Sequence, residues 1–174
     1  MESTFQNLEI LKVLNCQNLT NLLPSRPSFQ HLKELQISGC RKLVNLVTST
    51  TAKSLVQLVK MRVDRCSGMT EVVVAAATTA SEVDNIIFSK LKSLTLEKLE
   101  SLASFCLGNC TFKFSSLEYL RVIDCPKMKI FSRGELSTPR VKVRYGRGVG
   151  EWRWDSDLNT TIQQLHEQKV RIVF

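Results

Sequence analysis

Cys106 and Cys110, spaced C-x3-C, are the pair in this sequence most like metal ligands. A tetrahedral zinc site needs further donors, and His31 and His166 lie far from them along the chain. We read the two cysteines as buried or loop thiols. Gly146, Gly148 and Gly150 have a phosphate-loop look, but no Lys-Ser/Thr follows and no helix start comes next. Neither histidine has a nearby partner at a spacing that would activate a nucleophile. Asp64 and Glu97 share one outward column, which we read as solvated surface. The residues point to a non-enzyme with no cofactor and no metal.

The other four cysteines, Cys16, Cys40, Cys66 and Cys125, have a different logic. Each closes the same pattern, clearest in Leu32-Lys-Glu-Leu35-Gln-Ile37-Ser-Gly-Cys40-Arg-Lys-Leu43. Leu35 and Ile37 alternate with polar Gln36 and Ser38, the period of a strand. After Cys40 that period stops and the chain must turn. A small side chain with a weak S–H donor suits such a bend, where backbone groups turn inward and need partners. The four cysteines form a structural ladder in this reading. Thiols are the expected state inside a cell.

The pattern recurs with fixed offsets of 0, 3, 6, 8, 11, 14 and 17 from starts at Phe5, Phe29, Leu55, Phe88 and Phe114. The intervals of 24, 26, 33 and 26 residues fall in the leucine-rich-repeat range, with one long member. We expect an α/β leucine-rich-repeat solenoid, an arc with short parallel strands on its concave face and an irregular convex side. Offsets 6 and 8 point inward, as do the residues at 0, 3, 14 and 17. Each buried Leu or Phe contributes about 1.5–3 kcal/mol, so stacked coils hold where a single coil would not. Leu99 stands where the fourth copy should have cysteine, and it predicts a break in the ladder or a shifted turn. Residues 73–87 read as a surface loop.

Repeats are expected over 1–135 and a cap over 136–174. The cap would hold one strand across Leu136–Tyr145, with Val141 and Val143 inward. A helix follows from Leu158, with Asp155 or Asp157 as N-cap. Trp152 and Trp154 are expected to pack against the last coil. No such cap precedes Phe5, which suggests a piece of a longer protein.

With 174 residues, 43% hydrophobic and 23% charged, the composition is that of a folded domain. No signal-peptide pattern opens it and no apolar run approaches a membrane span. We place the chain in the cytoplasm or nucleus. The net charge of +8 permits an acidic partner without naming one.

Stacked strands turn equal offsets into columns. Offset 7 gives Lys12, Gln36, Arg62, Thr95 and Arg121, with Lys142 as a possible extension. Tyr119 lies at offset 5 and Lys98 at offset 10. Lys12, Arg62, Lys98, Tyr119 and Arg121 are the candidate partner-binding residues of a protein-recognition face. The basic and aromatic residues of 140–154 also allow single-stranded nucleic acid, a reading we rank below capping.

Phe88-Ser-Lys-Leu-Lys-Ser-Leu, the run from Phe114 through Asp124-Cys-Pro-Lys-Met128, and Asp157-Leu-Asn-Thr-Thr-Ile-Gln-Gln-Leu resemble the C-terminal leucine-rich repeats of plant coiled-coil nucleotide-binding disease-resistance proteins. The likeness covers nearly the whole chain. It implies an intracellular immune receptor whose repeats sense a pathogen effector or altered host protein and restrain a nucleotide-binding switch domain. That domain would be a partner, because this chain carries no phosphate loop or coiled coil of its own. The alternatives are a ubiquitin-ligase substrate receptor, although the Ile-Thr-Asp segment of those repeats is absent, and a basic nucleic-acid-binding solenoid.

Overall fold

Every copy of the motif places its strand at offsets 5 to 9, where β-branched and leucine side chains alternate with polar ones. The computed structural model of the chain describes residues 5, 7–22, 29–76, 83–147 and 151–172. In order, its elements are β1 (Ile10–Leu14), β2 (Glu34–Ser38), β3 (Val47–Thr48), α1 (Ser49–Ala52), β4 (Lys60–Asp64), β5 (Val73–Val74), β6 (Asp84–Phe88), β7 (Ser93–Glu97), β8 (Cys110–Phe114), β9 (Tyr119–Ile123), β10 (Leu136–Ser137), β11 (Lys142–Tyr145) and α2 (Leu158–Ile172).

The main sheet runs β1-β2-β4-β7-β9-β11, all parallel. Its register is the register of the sequence copies. Val13 pairs Ile37, Ile37 pairs Val63, Val63 pairs Leu96 and Leu96 pairs Val122. From Ile37 to Val122 this row is buried, as are Leu35, Met61, Leu94 and Leu120 beside it. The first coil is shallower: Leu8, Leu11, Val13 and Leu19 are half-buried, because among the described residues β1 pairs with β2 alone. The fold is thus a leucine-rich-repeat solenoid.

The turn after each strand is also repeated. Asn15, Gly39, Arg65, Lys98 and Asp124 adopt positive φ, from 53° to 69°. This conformation swings the chain inward. It also sends the amide of Asn15, Gly39, Arg65 and Lys98 to the carbonyl at offset 9 of the next coil, at 2.8–3.0 Å. The thiols of Cys16, Cys40, Cys66 and Cys125 donate to the offset-9 carbonyls of their own coils at 3.3–3.7 Å. Leu99 does not shift the turn. Lys98 keeps φ 53°, its amide reaches Ile123 O at 2.8 Å, and Leu99 is fully buried. The backbone bonds suffice for the bend, and the leucine fills core space in place of donating.

The return side, expected to be irregular, carries short strands as well as turns. β6, β8 and β10 form a parallel sheet in which Ile86 pairs Phe112 and Phe88 pairs Phe114. This corrects the reading of 73–87 as a loop. Ile86 and Phe88 are buried, and Asp84 anchors the strand start by accepting from Ser49 Oγ and Lys53 Nζ, each at 2.6 Å. Residues 77–82 of that stretch lie outside the described residues. Phe88, Phe105, Phe112, Phe114 and Phe131 stack or meet edge-on at 4.7–6.5 Å, a continuous aromatic core beneath this sheet.

The end of the chain divides where one strand was expected. Leu136–Ser137 joins the return-side sheet and Lys142–Tyr145 joins the main one, with Pro139 between them. Val141 and Val143 are buried, as their alternation implied. Asp157 caps α2: its side chain accepts from the Thr160 amide at 2.9 Å and its carbonyl from the Thr161 amide at 3.0 Å. Asn159 then satisfies the end of the fifth coil. Its Oδ1 accepts from the Phe131 and Ser132 amides at 2.8 and 3.1 Å, and its Nδ2 donates to Ser132 O at 2.8 Å. Leu158 and Ile162 are buried in the common core. The Leu-Asn-Thr-Thr-Ile segment therefore closes the solenoid.

Candidate functional site

The outer face of the main sheet collects the side chains at offsets 5, 7 and 9 from every strand. Its middle is a closed polar network. Asp64 is only 3% exposed although its column points away from the core. Ser38 Oγ and Arg65 Nε each donate to Asp64 Oδ1 at 2.8 Å, and Arg62 Nε donates to Oδ2 at 3.0 Å. Arg65 also reaches Ser38 Oγ at 2.8 Å, and Arg62 reaches Glu97 Oε2 at 2.8 Å. Burial pushes the Asp64 carboxyl up, but hydrogen bonds from Ser38, Arg62 and Arg65 outweigh it and hold the carboxyl below its ordinary value. The expectation of solvated carboxylates is therefore corrected for Asp64. Two arginines from its own coil fold over it, and their charge is spent there.

The cap end of the face is different. β11 pairs Lys142 with Tyr119 and Arg144 with Arg121. Arg144, not Lys142, therefore extends the offset-7 column, and Lys142 extends the column of Tyr119. Beyond β11, Arg153 makes an antiparallel bridge with Val143 at 2.8 and 3.0 Å. This bridge covers part of the last strand's free edge and lays Trp152 on the outer face. Tyr119 meets Trp152 at 5.5 Å between ring centroids, with planes at 61°. The guanidinium groups of Arg144 and Arg121 stand 4.5 and 5.6 Å from the Trp152 centroid, and Lys142 Nζ stands 5.4 Å from that of Tyr119. Trp154 does pack against the core, as expected; Trp152 does not join it there.

Of the five candidate residues, the structure brings Tyr119 and Arg121 into one cluster. Arg62 and Lys98 both approach Glu97, at 2.8 and 4.0 Å. Lys12 is exposed on β1, at the far end of the sheet. Trp152 and Arg144 were missed as site residues. The interleaving of Arg140, Lys142, Arg144, Arg147 and Arg153 with Tyr145, Trp152 and Trp154 was the available signal, but it gave no register against β9.

Among the described residues no three His, Cys, Asp or Glu side chains gather in a way that would hold a metal ion. Cys106 and Cys110 are buried with their sulfurs 3.2 Å apart, and burial pushes the Cys110 thiol up to about 12. All six cysteines are free thiols.

Parallel coils with a repeated turn, an inward leucine lattice and a shaped outer face define a leucine-rich-repeat recognition module. Residues 25–67, the second copy and much of the third, match the family described as plant disease resistance protein RPS2-like, leucine-rich repeats. That stretch is similar to the leucine-rich repeats of plant disease resistance proteins. No curated protein and no solved structure matches the chain. No helix among the described residues is long and apolar enough to cross a membrane.

Proposed function

We propose that this chain is a non-enzymatic sensor surface of an intracellular plant immune receptor. It binds a pathogen effector or an altered host protein on the outer face of its main sheet, and it restrains a nucleotide-binding switch domain until that ligand arrives. Ligand binding releases the restraint only through a difference in affinity between the two states. The observation that carries this reading is the shared register of six strands. It joins side chains from all five copies and the cap into one continuous face, on which exposed Tyr119 shares its strand with Arg121, itself paired in register with Arg144, tyrosine and arginine being residue types that anchor protein interfaces. The face's central charges hold one another, so its shape is set before a partner arrives.

Photo-crosslinking tests this. A benzophenone side chain placed at Gln36 or Arg121 on the outer face should capture a discrete partner from plant-cell extract. The same group at Asn85 or Lys113 on the return side should not. Equal capture from both sides, or capture from the return side alone, would overturn the reading.

A further inference from the structure

We propose that the cluster of Tyr119, Arg121, Lys142, Arg144 and Trp152 is a docking site for an acidic stretch of a protein partner. This deepens the recognition reading above and rests on it.

The first support is charge that has no counterpart. Arg62 and Arg65 pair with Asp64 and Glu97, but Arg121, Lys142 and Arg144 make no ion pair among the described residues. Three cations without an ion-pair partner among the described residues therefore gather at one end of the face.

The second support is order. An arginine laid on an indole ring has already given up much of its rotamer freedom, so less is lost when it grips a carboxylate. Arg144 goes further, since its Nε is shielded from water and has no acceptor among the described residues. A guanidinium partly stripped of water binds an anion more strongly through its remaining N–H groups than a fully hydrated one.

The third support is room. Next to the cluster runs a groove of about 540 Å³, with Lys92, Arg140, Lys142 and Tyr119 in its wall and one carboxylate, Glu118, which Lys92 approaches at 3.6 Å. An extended peptide lying there would pass both Arg140 and Lys142.

The same arrangement argues against single-stranded nucleic acid. Base stacking needs an open aromatic face. The faces of Trp152 and Tyr119 already carry cations at 4.5–5.6 Å. What the cluster offers outward is N–H donors, which suit carboxylates.

Fluorescence anisotropy at physiological ionic strength tests the proposal on the whole chain, with labelled oligoglutamate, oligoglutamine of equal length and oligothymidylate of equal charge as probes. Oligoglutamate should bind and oligoglutamine should not. The double substitution Arg121→Gln with Arg144→Gln should weaken oligoglutamate binding by about tenfold or more. Lys127→Gln with Lys129→Gln removes the same charge elsewhere and should change it by less than about twofold. If circular dichroism shows that the arginine pair is unfolded, Arg121→Gln with Lys142→Gln replaces it, since both positions are exposed. Equal losses in the cluster and control variants would reduce the effect to net charge and overturn the proposal. Oligothymidylate binding tighter than oligoglutamate would assign the cluster to nucleic acid instead. Outer-face crosslinks together with peptide binding indifferent to the cluster would sink this proposal alone, whereas the absence of outer-face crosslinks would sink the recognition reading.

Discussion

The phenolic oxygen of Tyr145 lies 2.8 Å from Nδ1 of His166, joining the last strand of the main sheet to the capping helix. The same oxygen lies 3.1 Å from Met128 O and 3.4 Å from Cys125 O, so it also ties the cap to the fifth turn. Burial lowers the His166 pKa, and the nearby Lys129 and Lys169 add to that. The folded state thus prefers neutral imidazole. The stability this gives is complete above the ordinary histidine value of about 6.5 and is lost as pH falls through the lower folded value. Thermal unfolding between about pH 7.5 and about pH 5 should show a falling midpoint. His166→Gln should flatten that fall, and an unchanged slope would contradict the assignment. Tyr145→Phe should cost about 1 kcal/mol at neutral pH in denaturant titration.

The Asp64 carboxylate holds three polar partners, Ser38, Arg62 and Arg65, together across two coils. Replacing it with alanine leaves Arg62 and Arg65 without their shared acceptor and Ser38 without its own. We expect a loss of about 2 kcal/mol by urea unfolding. The carboxyl's pKa is depressed, so its contribution is present above the ordinary value of about 4 and disappears as pH falls below it. Asp64→Asn should therefore remove part of the acid sensitivity as well as part of the stability.

Five of the six thiols are buried, and burial pushes those of Cys66 and Cys125 up to about 11. A buried neutral thiol is a poor nucleophile. Native protein treated with a disulfide reagent near pH 8 should react at Cys16 alone, the one exposed cysteine. All six should react in denaturant, and Cys16→Ser should abolish the native reaction. Fast labelling of Cys66 or Cys125 in the native state would contradict the ladder.

Gly134 sits where two turns of the coil come into contact. A Cβ there would lie 2.0 Å from Cys110 O, a backbone atom with no freedom to rotate away. Gly134→Ala should destabilise by about 3 kcal/mol, at the high end for a single methyl group. A change below about 1 kcal/mol would mean that the return-side strands are looser than their pairing shows.

The main sheet was legible because its signal is redundant. Leu35, Met61, Leu94 and Leu120 repeat one another, and each fixes the others' register. The return-side strand at Asp84–Phe88 was hidden behind a run of alanines and threonines, although Ile86 and Phe88 alternate as a strand should. The cap strand carries no leucine motif, so valine alternation gave its inward face but left its register open by two residues. That shift decides whether Lys142 or Arg144 sits beside Arg121. Trp152 was hardest to place. A tryptophan beside a solenoid's end can cover the core or lie on the sheet, and its place on the sheet depends on Arg153 pairing with Val143. Asp64 was misread because its burial comes from Arg62 and Arg65 folding over it, which no linear pattern displays.

On the docking proposal, recognition concentrates where cations are ordered and unpaired. The direct measurement is a neutralisation scan along the offset-7 column and its neighbour, with Lys12, Lys60, Arg121 and Arg144 each changed to glutamine. Each variant's affinity for the outer-face crosslinked partner would be read by calorimetry. We expect the changes at Arg121 and Arg144 each to cost about tenfold or more, and those at Lys12 and Lys60 less than about twofold. Equal losses at all four positions, or the largest loss at Lys12, would contradict it.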